Sequence, residues 1–274
     1  MSRPLRIEFP DACYLAMSRG NGERPVFRGR EDGQLWLKTL ESVCSRFGWI
    51  LHAYCMMSNH YEIVIETPKP NLSKGMRQLN GVYTQSFNRR HNRNGHVFIG
   101  RFYSTIVNKD VYLKPLVRHV LTNPVREGHV SSPAQWKWSS CRASCGKESS
   151  ELVDPQRIKS VFGGFSEFEK YVSEQNVPNP MENVRRQIFL GDDEFIKKVS
   201  ELADAPSPEM PREQTAFVGK RRLVDVEERN RAIFDSYRAG WLTMKQLSDR
   251  YGIHYSTISR IISEFEKNEA AGTG

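Results

Sequence analysis

The sequence predicts an α+β protein: an antiparallel sheet with helices on one face, followed by a small all-α domain. Two observations carry that reading. Strand-like and helix-like patterns follow in the order strand, helix, hairpin, helix, strand, helix, which suits an antiparallel sheet with its helices segregated to one side. A proline-rich stretch, "DAPSPEMPREQ" at residues 204–214, then separates this region from three short amphipathic segments. At 274 residues the chain is long enough for one sizeable domain and a smaller one.

Taken in order, "ACYLAMSRGNGERPVF" reads as an apolar strand entering a glycine-rich turn. "EDGQLWLKTLESVCSRFG" sets Leu35, Leu37, Leu40, Val43 and Phe47 at helical spacing and stops at Gly48, a good C-terminal cap. "WILHAYCMM" and "HYEIVIET" are two short strands joined at Ser58-Asn59, a hairpin. "NLSKGMRQLNGVYTQSFNRRH" starts at a candidate Asn cap and turns Leu72, Met76, Leu79, Val82, Tyr83 and Phe87 inward. "VFIGRFYSTIV" is a strand, and "KDVYLKPLVRHVLTNPV" is a helix with Pro115 near its first turn, stopped by Pro124. Residues 133–203 add Trp136, Trp138 and two short helices around 165–176 and 191–203. The expected layout is a domain at 1–140, a helical extension at 141–203, a linker at 204–222 and a final domain at 223–274.

Charge points to a polyanion. The net charge is +8, and residues 71–129 alone hold ten Lys and Arg against Asp110 and Glu127. The rest of the chain therefore balances, and a localised excess is the footprint expected of a phosphate-binding surface. A solvated basic surface with no ligand is the plainer alternative. No apolar run approaches the roughly 18 residues that span a bilayer, so a cytoplasmic protein without membrane contact is expected. The five cysteines show no C-x-x-C pair and are read as buried, reduced thiols rather than disulfides or zinc ligands.

Two stretches carry candidate chemistry. In "MSNHYEIVIETP", His60 and Glu62 stand two apart in an apolar run. They are either ligands for one ion or two polar residues on a wet strand face. Past the linker, "VDVEERNRAIFDSYRAG", "TMKQLSDRYG" and "HYSTISRIISEFEKN" read as three helices around Ile233, Leu247, Tyr251, Ile253, Ile258, Ile261 and Ile262. Two short helices joined at "YGIH" make a helix-turn-helix pattern, with Tyr255, Ser256, Thr257, Ser259 and Arg260 where base and phosphate contacts are made. A three-helix bundle with no ligand is the alternative.

"PLRIEFPDACYLAMSRGN", "GWILHAYCMMSNHYEIVIETP", "NLSKGMRQLNGVYTQSFNRRH", "GHVFIGRFYSTIVNKDVYL" and "LTNPVREG", in that order, resemble the single-tyrosine HUH transposases, specifically the REP-associated tyrosine transposase branch. The resemblance covers roughly residues 3–140, and the tail resembles the helix-turn-helix that some of these proteins carry. It implies a ferredoxin-like fold that binds single-stranded or hairpin DNA and cuts it with a tyrosine, forming a 5′-phosphotyrosine. It also implies a divalent ion held by a His-hydrophobic-His pair and a third polar ligand. Residues i and i+2 of a strand face one side, so such a pair can reach one ion. A homodimer is left open.

This chain departs from the pattern at both chemical positions. The second histidine of the pair is Glu62, and the family's tyrosine, in a segment resembling "RYVxxNPVRAG", is His119 within "RHVLTNPVREG". A carboxylate suits Mg²⁺ or Mn²⁺, so His60 and Glu62 could still hold an ion. A histidine nucleophile would give a phosphoramidate and lacks an evident acid and base. Tyr112 lies about two turns away on the face of His119, too far for in-line attack, and Tyr103 lies on the preceding strand. Tyr83 reads as a core residue. The favoured expectation is a DNA-binding protein on a transposase scaffold that has lost strand cleavage and acts in regulation or DNA maintenance. Arg77, Arg89, Arg90, Arg93, Arg101, Arg118 and Arg126 would contact phosphate, and Tyr255, Ser256, Thr257 and Arg260 would read duplex DNA. An active metal-dependent nickase with another nucleophile is the competing expectation, and binding to RNA hairpins a third.

Overall fold

A computed structural model describes residues 7–21, 24–204, 226–238 and 242–271. The chain divides into two compact units, Met1–Ala205 and Pro206–Gly274. The expected linker at 204–222 falls, beyond Asp204, outside the described residues.

The first unit opens with β1 (Ala12–Arg19), α1 (Arg30–Phe47), β2 (Ile50–Met56), β3 (His60–Thr67), α2 (Leu72–Arg90) and β4 (Tyr103–Val107). The strands order as β2-β3-β1-β4, with every neighbouring pair antiparallel. This is the ferredoxin-like split βαβ topology, in which each helix returns the chain past one intervening strand. The hairpin turns at Met57–His60, where the Met57 N–H donates to the His60 carbonyl at 2.9 Å. α1 ends at Gly48 with φ 66°, the left-handed cap its glycine permits.

Helices cover both faces of the sheet, which corrects the expectation of one. α1 and α2 pack Trp36, Leu40, Leu72, Leu79 and Tyr83 against Tyr14, Tyr61 and Ile63. The opposite face carries Cys13, Leu15, Cys55 and Val64, and it is covered by α3 (Lys109–Leu121) through Leu113, Leu116 and Val117. Periodicity shows that a helix has an apolar side but not which sheet face receives it. Because both faces are buried, β1 reads as a nearly continuous apolar run from Ala12 to Met17. α2 comes close to the loop after α1, since a Cβ on Gly75 would collide with the Trp49 ring.

Several local expectations change. Asn71 precedes α2, yet its side chain caps nothing there: Oδ1 accepts from Trp49 Nε1 at 2.8 Å and Nδ2 donates to the Phe47 carbonyl at 2.9 Å. Replacing Asn71 with alanine is therefore expected to strand both partners and cost about 1–2 kcal/mol, read as a lowered melting midpoint. Pro115 lies seven residues into α3 rather than in its first turn, because the helix begins already at Lys109. α4 (Asn123–Arg126) follows, with Pro124 in its opening turn where the missing N–H is cheapest.

Residues 141–203 are only partly helical. α5 (Cys141–Ser144), α6 (Pro155–Phe162) and α7 (Phe165–Ser173) join the α3 side through Cys141, Ile158 and Phe168. Two-residue strands β5 (Val184–Arg185) and β6 (Phe189–Leu190) extend the sheet, β6 pairing parallel to β4, before α8 (Asp193–Asp204). The second unit holds α9 (Val226–Arg238), α10 (Met244–Tyr251) and α11 (Tyr255–Ala271) around Ile233, Phe234, Leu247, Ile258, Ile261 and Ile262. All five cysteines are free. No helix among the described residues is long and apolar enough to cross a membrane.

Candidate nucleic-acid site

His60 and Glu62 fall on the α3 side of β3, at the end of the strand where the sheet meets α4. Opposite Glu62 stand Cys55 on β2 and Met17 on β1, and Met17 in turn stands opposite Tyr103 on β4. Cys55, Glu62, Met17 and Tyr103 thus form one row across the sheet. α4 lies over the Glu62 end of that row, and Tyr103 at the other end is 56 % exposed.

The third polar group is Asn123, which sequence reasoning missed. Its Nδ2 lies 3.1 Å from His60 Nε2 and 3.2 Å from Glu62 Oε2, so one amide closes on both side chains. His60 Nδ1 contacts Asn59 Oδ1 at 2.7 Å. A ring whose Nδ1 donates to that oxygen presents a lone pair at Nε2, which the amide meets. Burial holds the His60 pKa below its ordinary value, in keeping with a neutral ring. No local signal marks Asn123, since it opens the short α4 after α3 has ended and reaches β3 only through the tertiary fold.

Glu62 is 8 % exposed. Burial pushes its carboxyl up to about 7, opposed by the Arg126 charge and the Asn123 hydrogen bond. Glu66, four residues along on the same sheet face, behaves oppositely. Its hydrogen bonds from His52 at 3.3 Å and Lys109 at 2.8 Å hold it down at about 2, against the effect of burial. One strand therefore carries a structural carboxylate that stays ionised and a second that sits near its titration point at neutral pH.

His119 is held from behind. The Arg126 guanidinium donates to the His119 carbonyl and to Thr122 Oγ1, and Nη2 lies 3.4 Å from His119 Nε2. A guanidinium has only donors, so Nε2 can only accept in this contact and the imidazole proton resides on Nδ1. Burial, followed by the Arg126 charge, lowers the His119 pKa to about 4. The imidazole is neutral at physiological pH, with its Nε2 lone pair turned to a cation.

The donor set at the site can be tested against a divalent ion. No group of three or more His, Cys, Asp or Glu able to hold a metal occurs among the described residues. His60 Nε2 and Glu62 Oε2 nevertheless converge on Asn123, whose amide can present oxygen in place of nitrogen. One imidazole nitrogen and two oxygens suit a hard or borderline cation.

The cations do not form a single stripe. Arg77 and Arg89 are exposed on α2, which lies across the sheet from His60. Arg90 is ion-paired to Glu31 and lies 3.6 Å from buried Asp32, which also takes His91 at 2.9 Å. Arg93 stacks over Phe87, and Arg101 is exposed just ahead of β4. Arg118 is buried, bonded to Glu174 at 2.7 Å and stacked 4.3 Å over Tyr171, which fastens α7 to α3. Among the tyrosines, Tyr83 is fully buried and donates to the Val26 carbonyl, while Tyr112 packs against the α3-side core.

In the second unit, Thr243 and Gln246 form a capping box at the start of α10, and Gly252 at φ 63° ends it. His254, whose Nδ1 contacts Ser256 Oγ at 2.8 Å, precedes α11. Tyr255, Ser256 and Arg260 are exposed on the first turns of α11, and Thr257 is half-buried.

Residues 12–120 match the family model described as IS200-like transposase. No curated protein matches the chain. Among solved structures, one of a REP-associated tyrosine transposase bound to a REP hairpin is similar, with 14 % identity and a TM-score of 0.48, covering 56 % of this chain and 94 % of that one.

Proposed function

We propose, from the match of residues 12–120 to the model of IS200-like transposases, that the protein binds DNA on a REP-associated transposase scaffold and no longer cleaves it. The observation that carries this reading is His119. By the sequence resemblance it stands where the family has its tyrosine; it offers no hydroxyl and has its Nε2 lone pair facing Arg126. Attack by nitrogen would need that lone pair free and a base to clear the leaving proton. The N-terminal domain would hold single-stranded or hairpin DNA, and the Tyr255, Ser256, Thr257 and Arg260 surface would hold duplex.

Of the cations, exposed Arg77, Arg89 and Arg101 best suit phosphate contact. Arg90, Arg118 and Arg126 are engaged with Glu31, Glu174 and His119. A linker between two modest DNA modules raises the local concentration of each at a composite site, so neither must bind tightly alone. That design suits regulation or DNA maintenance.

His60, Glu62 and Asn123 would hold Mg²⁺ or Mn²⁺, which would supply positive charge to a bound phosphate. The chain's own residues do the rest. Asn123 orients His60 and Glu62 towards one point, and Arg126 adds fixed positive charge beside them.

The test is to incubate the purified chain with end-labelled single-stranded and hairpin DNA from beside its own gene, with Mg²⁺ or Mn²⁺, on native and denaturing gels. Retarded complexes without cut product or covalent adduct are expected. A metal-dependent adduct sinks the reading, and preferential binding of RNA hairpins redirects it. On the same DNA, Arg101→Ala is expected to reduce the slope of log affinity against log salt by about one.

A further inference from the structure

We propose that Tyr103 is a stacking platform for an unpaired DNA base held next to the His60–Glu62–Asn123 site, an inference that rests on the DNA-binding reading above.

Sides alternate through β4 and the residue before it: Phe102 and Ile106 enter the α1/α2 core, Val107 enters the α3-side core, and Tyr103 faces the same side as Val107. α3 begins only at Lys109, after the far end of β4, and its core contacts cover Val107 and Leu15. The start of β4 is left open, and Tyr103 is exposed although it is a large aromatic on a sheet face.

Position makes this exposure informative. Register places Tyr103, Met17 and Glu62 in one row, so Tyr103 lies two strand spacings, about 10 Å, from Glu62. Half-buried Met17 floors the gap, a thioether that accepts a flat apolar neighbour. The row runs from the polar group under α4 to an open aromatic ring.

Charge decides the occupant. Arg101 is exposed two residues before Tyr103, and exposed Ile99 adds a second apolar surface to the same loop. An apolar peptide would leave Arg101 without a counter-charge. A single strand of nucleic acid matches both features, since its phosphates meet arginine and its bases have faces that stack on tyrosine. Paired bases expose no such face, so the platform takes an unpaired nucleotide, either in a single strand or flanking a hairpin.

The test compares Tyr103→Ala and Tyr103→Phe in the full chain, with a hairpin carrying an unpaired flank that contains 2-aminopurine. Stacking requires the ring and not the hydroxyl. Tyr103→Phe is therefore expected to bind within about twofold of the parent and quench the probe, while Tyr103→Ala is expected to lose about 5- to 150-fold in affinity together with the quenching. The Tyr103→Phe variant also serves as the folding control, and the melting midpoint of the alanine variant should match it. Equal binding by all three chains overturns the platform and leaves the DNA-binding reading standing. Failure of the parent to bind any DNA overturns the reading itself. Equal loss in both variants, or a covalent adduct at Tyr103, would assign the work to the hydroxyl and also overturn the platform.

Discussion

Exchanging His119 for tyrosine and Glu62 for histidine is expected to turn a chain that binds hairpin DNA without cutting it into one that forms a metal-dependent covalent adduct. The expected gain over the parent's background is on the order of a hundredfold or more, since removing a nucleophile from a working site costs far more than that. A phenol at position 119 supplies the oxygen that the imidazole lacks. Arg126, whose guanidinium already reaches the backbone and ring of residue 119, would favour the phenolate form. A histidine at position 62 replaces a carboxyl that burial keeps partly protonated near neutral pH with a ligand that resists protonation when buried. The single variant His119→Tyr should give less adduct than the double, because Glu62 still binds one proton in competition with a metal. A folded double variant that binds the hairpin yet forms no adduct with Mg²⁺ or Mn²⁺ would mean that residue 119 is not in line with the bound phosphate, where a displacement of about 1 Å is enough to matter. That outcome would place the loss of cleavage in the scaffold rather than in two side chains.

The elements that can be read from the sequence are those whose signal is local. The hairpin at Ser58-Asn59, the glycine stop after α1 and the three C-terminal helices each announce themselves within a dozen residues. The same-side placement of His60 and Glu62 follows from strand geometry alone. What escapes depends on distant partners. Asn123 stands inside "LTNPVREG", but there it marks the end of a helix. Its role appears only when α4 is laid over β3, 61 residues away in sequence. Asn71 reads as a cap from its neighbours and instead serves Trp49 and Phe47. Arg118 and Arg126 look like phosphate ligands among the cations of the sequence, yet tertiary contacts commit one to Glu174 and the other to His119. The strands β5 and β6, two residues each, have no period to detect, and only pairing with β4 makes them strands.

Glu62→Gln is expected to stabilise the first unit by about 3 kcal/mol at pH 8 and to change the shape of its pH dependence. The folded carboxyl titrates at about 7, against an ordinary 4.5, and each unit of difference is worth about 1.4 kcal/mol. The folded state therefore binds more protons than the unfolded one between these values. By linkage, Glu62 costs stability progressively as pH rises from about 4.5 through about 7, and the full cost remains above that. His119 acts in the opposite sense. Its folded value of about 4 lies below the ordinary 6.5, so its contribution is complete above about 6.5 and is lost as pH falls towards 4. The two windows overlap, and in the parent their slopes oppose each other between about 4.5 and 6.5. Glutamine keeps an oxygen to accept from Asn123 but does not titrate, so the variant should show the slope of the buried histidines His119 and His60, both lowered by burial, with stability rising across that interval. Urea midpoints at pH 5, 6, 7 and 8, followed by tryptophan fluorescence, would read this mainly from the first unit, which holds four of the five tryptophans, Trp36, Trp49, Trp136 and Trp138. Parallel curves for parent and variant would mean that Glu62 is ionised and satisfied in the folded protein, held there by Arg126 and Asn123. The site would then be a preformed anionic pocket suited to a cation at neutral pH, rather than a carboxyl that releases its proton only when an ion arrives.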